Sequence, residues 1–233
     1  MTRPPALLQI YAALDSMHAW RGWHWWPDAD PFEVCVGAIL VQNTMWANVE
    51  LALARLREAN ALNHRAMSAL PVAELEELVR PSGQYRQKAR KLRAFLVLVQ
   101  EAGGIDALLA SDPTALRAQL LATWGIGPET ADCVLCYAAS QPALVIDAYT
   151  MRLLGRLRLG PASASYGEWQ RWMLAAIEAE APSALPGPAR RELYARFHAL
   201  IVLHCKHLCR KNAPGCAECE LQPACSFANQ PLG

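Results

Sequence analysis

The chain has 233 residues, 53% hydrophobic and 18% charged, with a formal net charge of +1. That is ample apolar material for one large domain or two small ones. No stretch approaches eighteen uncharged apolar residues, which excludes an ordinary membrane-spanning helix. A net charge this small argues neither for nor against a nucleic-acid partner.

The N-terminal "MTRPPALLQIYAALDS" lacks the layout of a cleavable signal peptide and reads as the start of an amphipathic helix. A cytosolic protein with reduced thiols is expected. Next, "PFEVCVGAILVQNTMWANVELALARLREA" carries apolar residues at helical spacing and predicts two helices broken near Gln42 to Thr44. "PVAELEELVR" predicts a helix with Pro71 in its first turn, stopping before the turn signal "PSG". "RQKARKLRAFLVLVQEAGG" predicts a helix ending at a glycine pair, and Asp112 before Pro113 caps "PTALRAQLLATW". Helices over "ETADCVLCYAAS", "DAYTMRLLGRLRL", "YGEWQRWMLAAIEAEAP" and "ARRELYARFHALIVLHCKHLC" complete the series. Ala, Leu, Glu, Arg and Gln dominate and β-branched runs are scarce, so the expected fold class is all-α. No repeat, low-complexity tract or long linker interrupts it.

Four features carry chemistry. Arg80 to Arg93, "RPSGQYRQKARKLR", holds six basic side chains and no acidic one. Such a run suits phosphates, although a solvated helix face has the same composition. Residues 120 to 138, "LLATWGIGPETADCVLCYA", run one helix into Gly125-Ile126-Gly127 and start another near Pro128. Two glycines permit a tight turn and bare backbone N–H groups beside a helix N-terminus, a cradle for a phosphate that needs no side-chain charge. Downstream, Asp147 follows an apolar run in "LVIDAYTMRLLGRL", where a plain helix N-cap is the ordinary reading.

The tail holds Cys209, Cys216, Cys219 and Cys225 in a C-x6-C-x2-C-x5-C pattern. Disulfides suit a reducing compartment poorly. Tetrahedral zinc usually takes two short C-x2-C knuckles, and only Cys216 and Cys219 form one. The wide gaps fit four thiolates wrapped around a [4Fe–4S] cube better. Cys35, Cys133, Cys136 and Cys205 read as small buried apolar residues outside that pattern.

Glycine hairpin, aspartate about twenty residues on, and cysteine tail together resemble the endonuclease III-like family of helix-hairpin-helix DNA glycosylases, from about residue 23 to 226. The resemblance implies a bilobed fold. A six-helix barrel lobe over residues 30–140 would carry the hairpin. A second helical lobe, residues 1–29 with 141–233, would end in the cluster loop at 209–225. Double-stranded DNA with a damaged base would lie bent across a cleft, with the damaged nucleotide everted.

The family pattern is G-x-G-x-K-[ST]-A, and this chain reads "GIGPETAD", so Glu129 stands where bifunctional members carry a Schiff-base lysine. Lys88 and Lys91 belong to another helix. Lysine-dependent strand cleavage is therefore expected to be absent, leaving hydrolysis with Asp147 as the matching essential aspartate. "WWPDADPFEVCVGAILVQNTMWANVE", "VRPSGQYRQKARKL" and "LYARFHALIV" resemble the branch that includes 3-methyladenine DNA glycosylases. There, Trp25, Trp26 and Trp46 match base-pocket aromatics, and Gln42 matches the side chain that fills the gap left in the duplex. Gly125, Gly127, Arg86, Lys88 and Arg90 are expected to face phosphates, with Lys206, Arg210 and Lys211 on the cluster loop. A monomer, cytoplasmic and nucleoid-associated, is expected. An oxidised-pyrimidine enzyme with weak strand cleavage, or a catalytically idle DNA-binding protein bearing the cluster, are the other readings.

Overall fold

A computed structural model describes residues 5–18, 26, 29–162, 165–181 and 185–229. Those residues are helical or irregular, with no strand among them. No helix among them is long and apolar enough to cross a membrane. The chain divides into two compact units, Trp26–Ala143 and Met1–Trp25 with Leu144–Gly233.

The continuous unit is built around α2 (Pro31–Leu40). Asp30 caps it by accepting the Phe32 N–H at 2.8 Å, and Pro31 pre-sets its first turn. Eight of its ten residues are buried, from Phe32 through Leu40 save Glu33, so it is the central rod of this unit. Around it pack α3 (Trp46–Glu58), α4 (His64–Ala69), α5 (Val72–Val79), α6 (Tyr85–Glu101), α7 (Ile105–Leu109) and α8 (Pro113–Ala122). Their inward faces follow helical spacing: Val49, Ala52, Leu53 and Leu56 on α3; Leu92, Phe95, Leu96 and Val99 on α6. Pro71 proves to be the N-cap of α5 rather than a first-turn residue. The glycine pair ends α6 as the sequence predicts, with Gly103 and Gly104 both at positive φ. The last helix of the unit, α9 (Pro128–Cys133), widens into a π turn over Val134–Ala138.

The discontinuous unit joins α1 (Leu7–His18) to α10 (Ala148–Arg156), α11 (Tyr166–Glu180) and α12 (Gly187–His207). Leu7, Ile10 and Leu14 of α1 enter one core with Leu153, Leu154, Trp169, Met173, Phe197 and Ile201. The Glu180 carboxylate at the end of α11 accepts the N–H groups of Leu7 and Leu8, at 2.9 and 2.7 Å, so one helix caps another. Residues 208–229 follow α12 as a loop with two short 3₁₀ turns, Cys216–Glu218 and Gln222–Ala224.

Candidate active site and DNA interface

The hairpin lies between α8 and α9. Its two arms are tied by Arg117, whose Nε and Nη2 donate to the two oxygens of buried Asp132 at 2.7 and 3.1 Å. Gly125 sits at φ +82°, and a Cβ there would run into Cγ of Lys91, with Cδ and Cε at 2.9 and 3.0 Å. Both conformation and space demand glycine. Gly127 differs. Its φ of −96° suits any residue, and open space surrounds its would-be Cβ. Its missing side chain leaves the backbone bare at the start of α9, next to exposed Pro128 and Glu129.

Gln42, on the bend between α2 and α3, reaches this hairpin. Its Nε2 donates to the Gly125 carbonyl at 3.2 Å and to Thr130 Oγ1 at 2.9 Å, while its Oε1 accepts from Lys91 Nζ. Sequence distance hid that last contact: Lys91 belongs to α6, yet its stem crosses the hairpin glycine.

The basic run splits between surface and interior. Arg86, with its side chain 77% exposed, and Arg90 face solvent. Arg90 stacks on exposed Trp124 of the hairpin, 3.9 Å from the ring centroid. Lys88 corrects the expectation of a phosphate-facing row. It is 1% exposed, and its ammonium donates to the Ser82 carbonyl. Burial and the nearby Lys91 charge lower its pKa to about 8. It shares the inward face of α6 with Ala89 and Leu92, which no count of charges reveals.

Of the three matched tryptophans, Trp25 lies outside the described residues. Trp26 is half-buried and meets Trp46 edge-on at 5.3 Å and Tyr137 at 5.6 Å. A Cβ on Gly37 would stand 3.0 Å from Cζ2 of Trp26, so that glycine makes room for the indole.

In the other unit, Asp147 is the N-cap of α10. Its Oδ1 accepts the Thr150 N–H at 2.7 Å and the Thr150 hydroxyl at 2.9 Å. Its Oδ2 lies 3.6 Å from His198 Nε2 on α12. Burial by itself would raise the carboxyl pKa; the His198 and Thr150 hydrogen bonds and the imidazole's charge outweigh it, and the pKa falls below the ordinary value. Asp147 thus caps a helix and is also a buried carboxylate held in its charged form.

Cys209, Cys216, Cys219 and Cys225 line one cavity with Leu153, Leu157, Leu208 and Leu221. Among the described residues, no three His, Cys, Asp or Glu side chains converge on a point that a single ion could occupy. Arg156 pins the loop: its Nη1 donates to Cys209 Sγ at 3.1 Å and to the Arg210 carbonyl at 2.9 Å, and its Nη2 to the Lys211 carbonyl at 3.2 Å. The hydrogen bond with Cys205, helped by Arg156 against burial, lowers the Cys209 pKa to about 6, within thiolate range. His204 approaches Cys219 Sγ at 3.6 Å. Lys206, Arg210 and Lys211 are exposed, although the Arg210 guanidinium folds back onto the carbonyls of His207 and Ala213.

Residues 36–178 match the HhH-GPD superfamily of base excision DNA repair proteins. The chain belongs to that superfamily. It is 38% identical over 205 residues to MJ1434 of Methanocaldococcus jannaschii, named provisionally as a DNA repair glycosylase, covering 87% of this chain and 88% of that one. Among solved structures it resembles the Helicobacter pylori 3-methyladenine DNA glycosylase MagIII bound to 1,N6-ethenoadenine. The TM-score is 0.73 and the identity 29%, covering 87% of this chain and 98% of MagIII. An endonuclease III in a non-covalent DNA complex, at 23% identity, shares the fold alone, with a TM-score of 0.76 over 96% and 97% of the two chains.

For a DNA repair glycosylase of this superfamily, the structure shows contacts of the motif residues that motif reading missed. Within one unit His198 meets Asp147 and Arg156 meets Cys209; within the other Lys91 meets Gln42, each contact joining residues far apart in the sequence. His198 stood inside the quoted "LYARFHALIV", but a single histidine among apolar residues reads as core until its partner is seen.

Proposed function

We propose that this glycosylase hydrolyses the N-glycosidic bond of alkylated purines in double-stranded DNA, as a monomer and without a lysine-dependent lyase step. The observation that carries the reading is Asp147, a buried carboxylate kept ionised by His198 and Thr150. As the base leaves with the bonding electrons, positive charge grows on the sugar, and a fixed anion stabilises it while water adds its oxygen to C1′ and releases a proton to solvent. A purine nucleotide alkylated at N3 or N7 is already cationic, so its base departs neutral and needs no proton from the enzyme. Glu129 at the head of α9 offers no amine to the sugar, which supports release by water.

Trp26 and Trp46, backed by Tyr137, offer π faces that attract a cationic base by about 0.5–2 kcal/mol. Similarity to MagIII, whose structure holds 1,N6-ethenoadenine, supports a purine adduct as substrate. Bare backbone at Gly127, with Arg90 stacked on Trp124 of the hairpin, suits DNA phosphates. Gln42 is the side chain proposed to enter the space left by the everted nucleotide.

Cys209, Cys216, Cys219 and Cys225 would hold a [4Fe–4S] cluster. The shared cavity and the Arg156 bond to the Cys209 sulfur support four cysteines around one group. Its part would be structural, ordering a loop that exposes Lys211 next to Lys206 at the end of α12. The test is a panel of lesion duplexes under single turnover, with wild type and Asp147→Asn. Excision confined to alkylated purines and lost in the variant supports the reading. Excision of oxidised pyrimidines, or binding without excision, transfers the protein to one of the other two readings.

A further inference from the structure

The Gln42 amide is held on both sides. Its oxygen accepts from the Lys91 ammonium, and its two N–H hydrogens have two acceptors, the Gly125 carbonyl and Thr130 Oγ1. Only one orientation of the amide satisfies this set, because a flipped amide would face an ammonium with its own donors. The socket is built from three elements, α6, the hairpin turn and α9, and the Lys91 stem is locked against Gly125. A side chain proposed to enter DNA is thus bonded into the protein when no DNA is present.

We propose that Lys91 and Thr130 are positioning residues that set the threshold for Gln42 insertion. This rests on the reading of Gln42 as the gap-filling side chain. Leaving the socket breaks a charge-assisted hydrogen bond and two neutral ones, and the DNA must offset all three. A duplex that already has a gap offers partners and room. An intact base pair must first be opened, so the same loss keeps Gln42 docked. Lys91 thereby favours damaged over sound DNA without touching a base.

The test uses two duplexes, one fully paired and one with a tetrahydrofuran abasic analogue, each carrying 2-aminopurine beside the target position. Thr130→Val removes one socket bond with no change of charge, and Lys91→Met removes the ammonium while keeping the stem. Both variants should melt near wild type. Thr130→Val should bind the abasic duplex several-fold tighter and raise 2-aminopurine emission in the paired duplex, and Lys91→Met should raise that emission further, by about tenfold in the inserted fraction. Unchanged or weaker abasic binding by Thr130→Val overturns the proposal. So does a Lys91→Met variant that weakens both duplexes equally and lowers the salt slope by about one, since Lys91 would then be a plain phosphate contact. Gln42→Ala separates the two levels. If wild-type emission on the abasic duplex survives that change, the gap-filling reading itself fails; if it is lost while the socket variants have no effect, only the socket proposal fails.

Discussion

His198 Nε2 lies 3.6 Å from Asp147 Oδ2, joining α12 to the cap of α10, and both side chains are almost wholly buried. The imidazole and Thr150 hold the carboxyl below the ordinary aspartate pKa although burial pushes the other way. A depressed folded-state pKa contributes stability that is present above the unfolded value, about 3.9, and lost as pH falls through the folded one. Wild-type excision should therefore show no acid limb from Asp147 between about pH 5 and 8. In His198→Leu, burial is opposed by Thr150 alone, so the limb moves to higher pH. Single-turnover rates across that range check this, and a limb that stays put in the variant argues that His198 does not tune the carboxylate.

Asp147→Asn separates cap from chemistry. Asparagine caps a helix about as well as aspartate, so the melting temperature should stay within a few degrees. Excision on a confirmed substrate should fall on the order of 10²-fold or more, because the anion proposed to stabilise the sugar cation is gone. Full activity in a well-folded variant removes Asp147 from the mechanism.

Glu129 is exposed at the second position of α9, where lysine has room and meets a helix-dipole penalty of about 0.3–1 kcal/mol. Borohydride with abasic DNA should trap a covalent product for Glu129→Lys and none for wild type. Trapping by wild type would reveal another amine. Lys91 is the first to examine, since its stem crosses the hairpin glycine.

Arg156 bonds Cys209 Sγ and two loop carbonyls while its guanidinium stacks on Phe227, 4.1 Å from the centroid. Arg156→Gln should loosen residues 208–229, seen as faster limited proteolysis there, and should lower the thiolate-to-iron absorption in the visible region. Cys219→Ser should abolish most of that absorption. If purified protein with all four cysteines shows no such band and contains no iron, the cluster assignment fails while the hairpin and Asp147 readings stand.

Much of the fold was legible without coordinates, because its signals are local. The Asp112 cap, the stops at Gly103 and Gly104, and the 3.6-residue apolar spacing of α3 and α6 each act within a few residues. The hairpin glycines, Asp147 and the cysteine spacing were legible for the same reason: each motif is short and contiguous.

What stayed hidden was decided by which way a helix turns its faces and which distant chain meets them. Lys88 and Arg86 are two residues apart on one helix, yet rotation of about 100° per residue puts one inside and the other in water. Asp147 and His198 are 51 positions apart, and Gln42 meets Lys91 only because α2 and α6 pack in one unit. The sequence by itself determined the helices, their ends and the residue types available for chemistry. Tertiary structure alone decided which carboxyl stays charged and which amine lies across the hairpin. Desolvation and Coulomb terms depend on through-space distance, and position along the chain does not encode it.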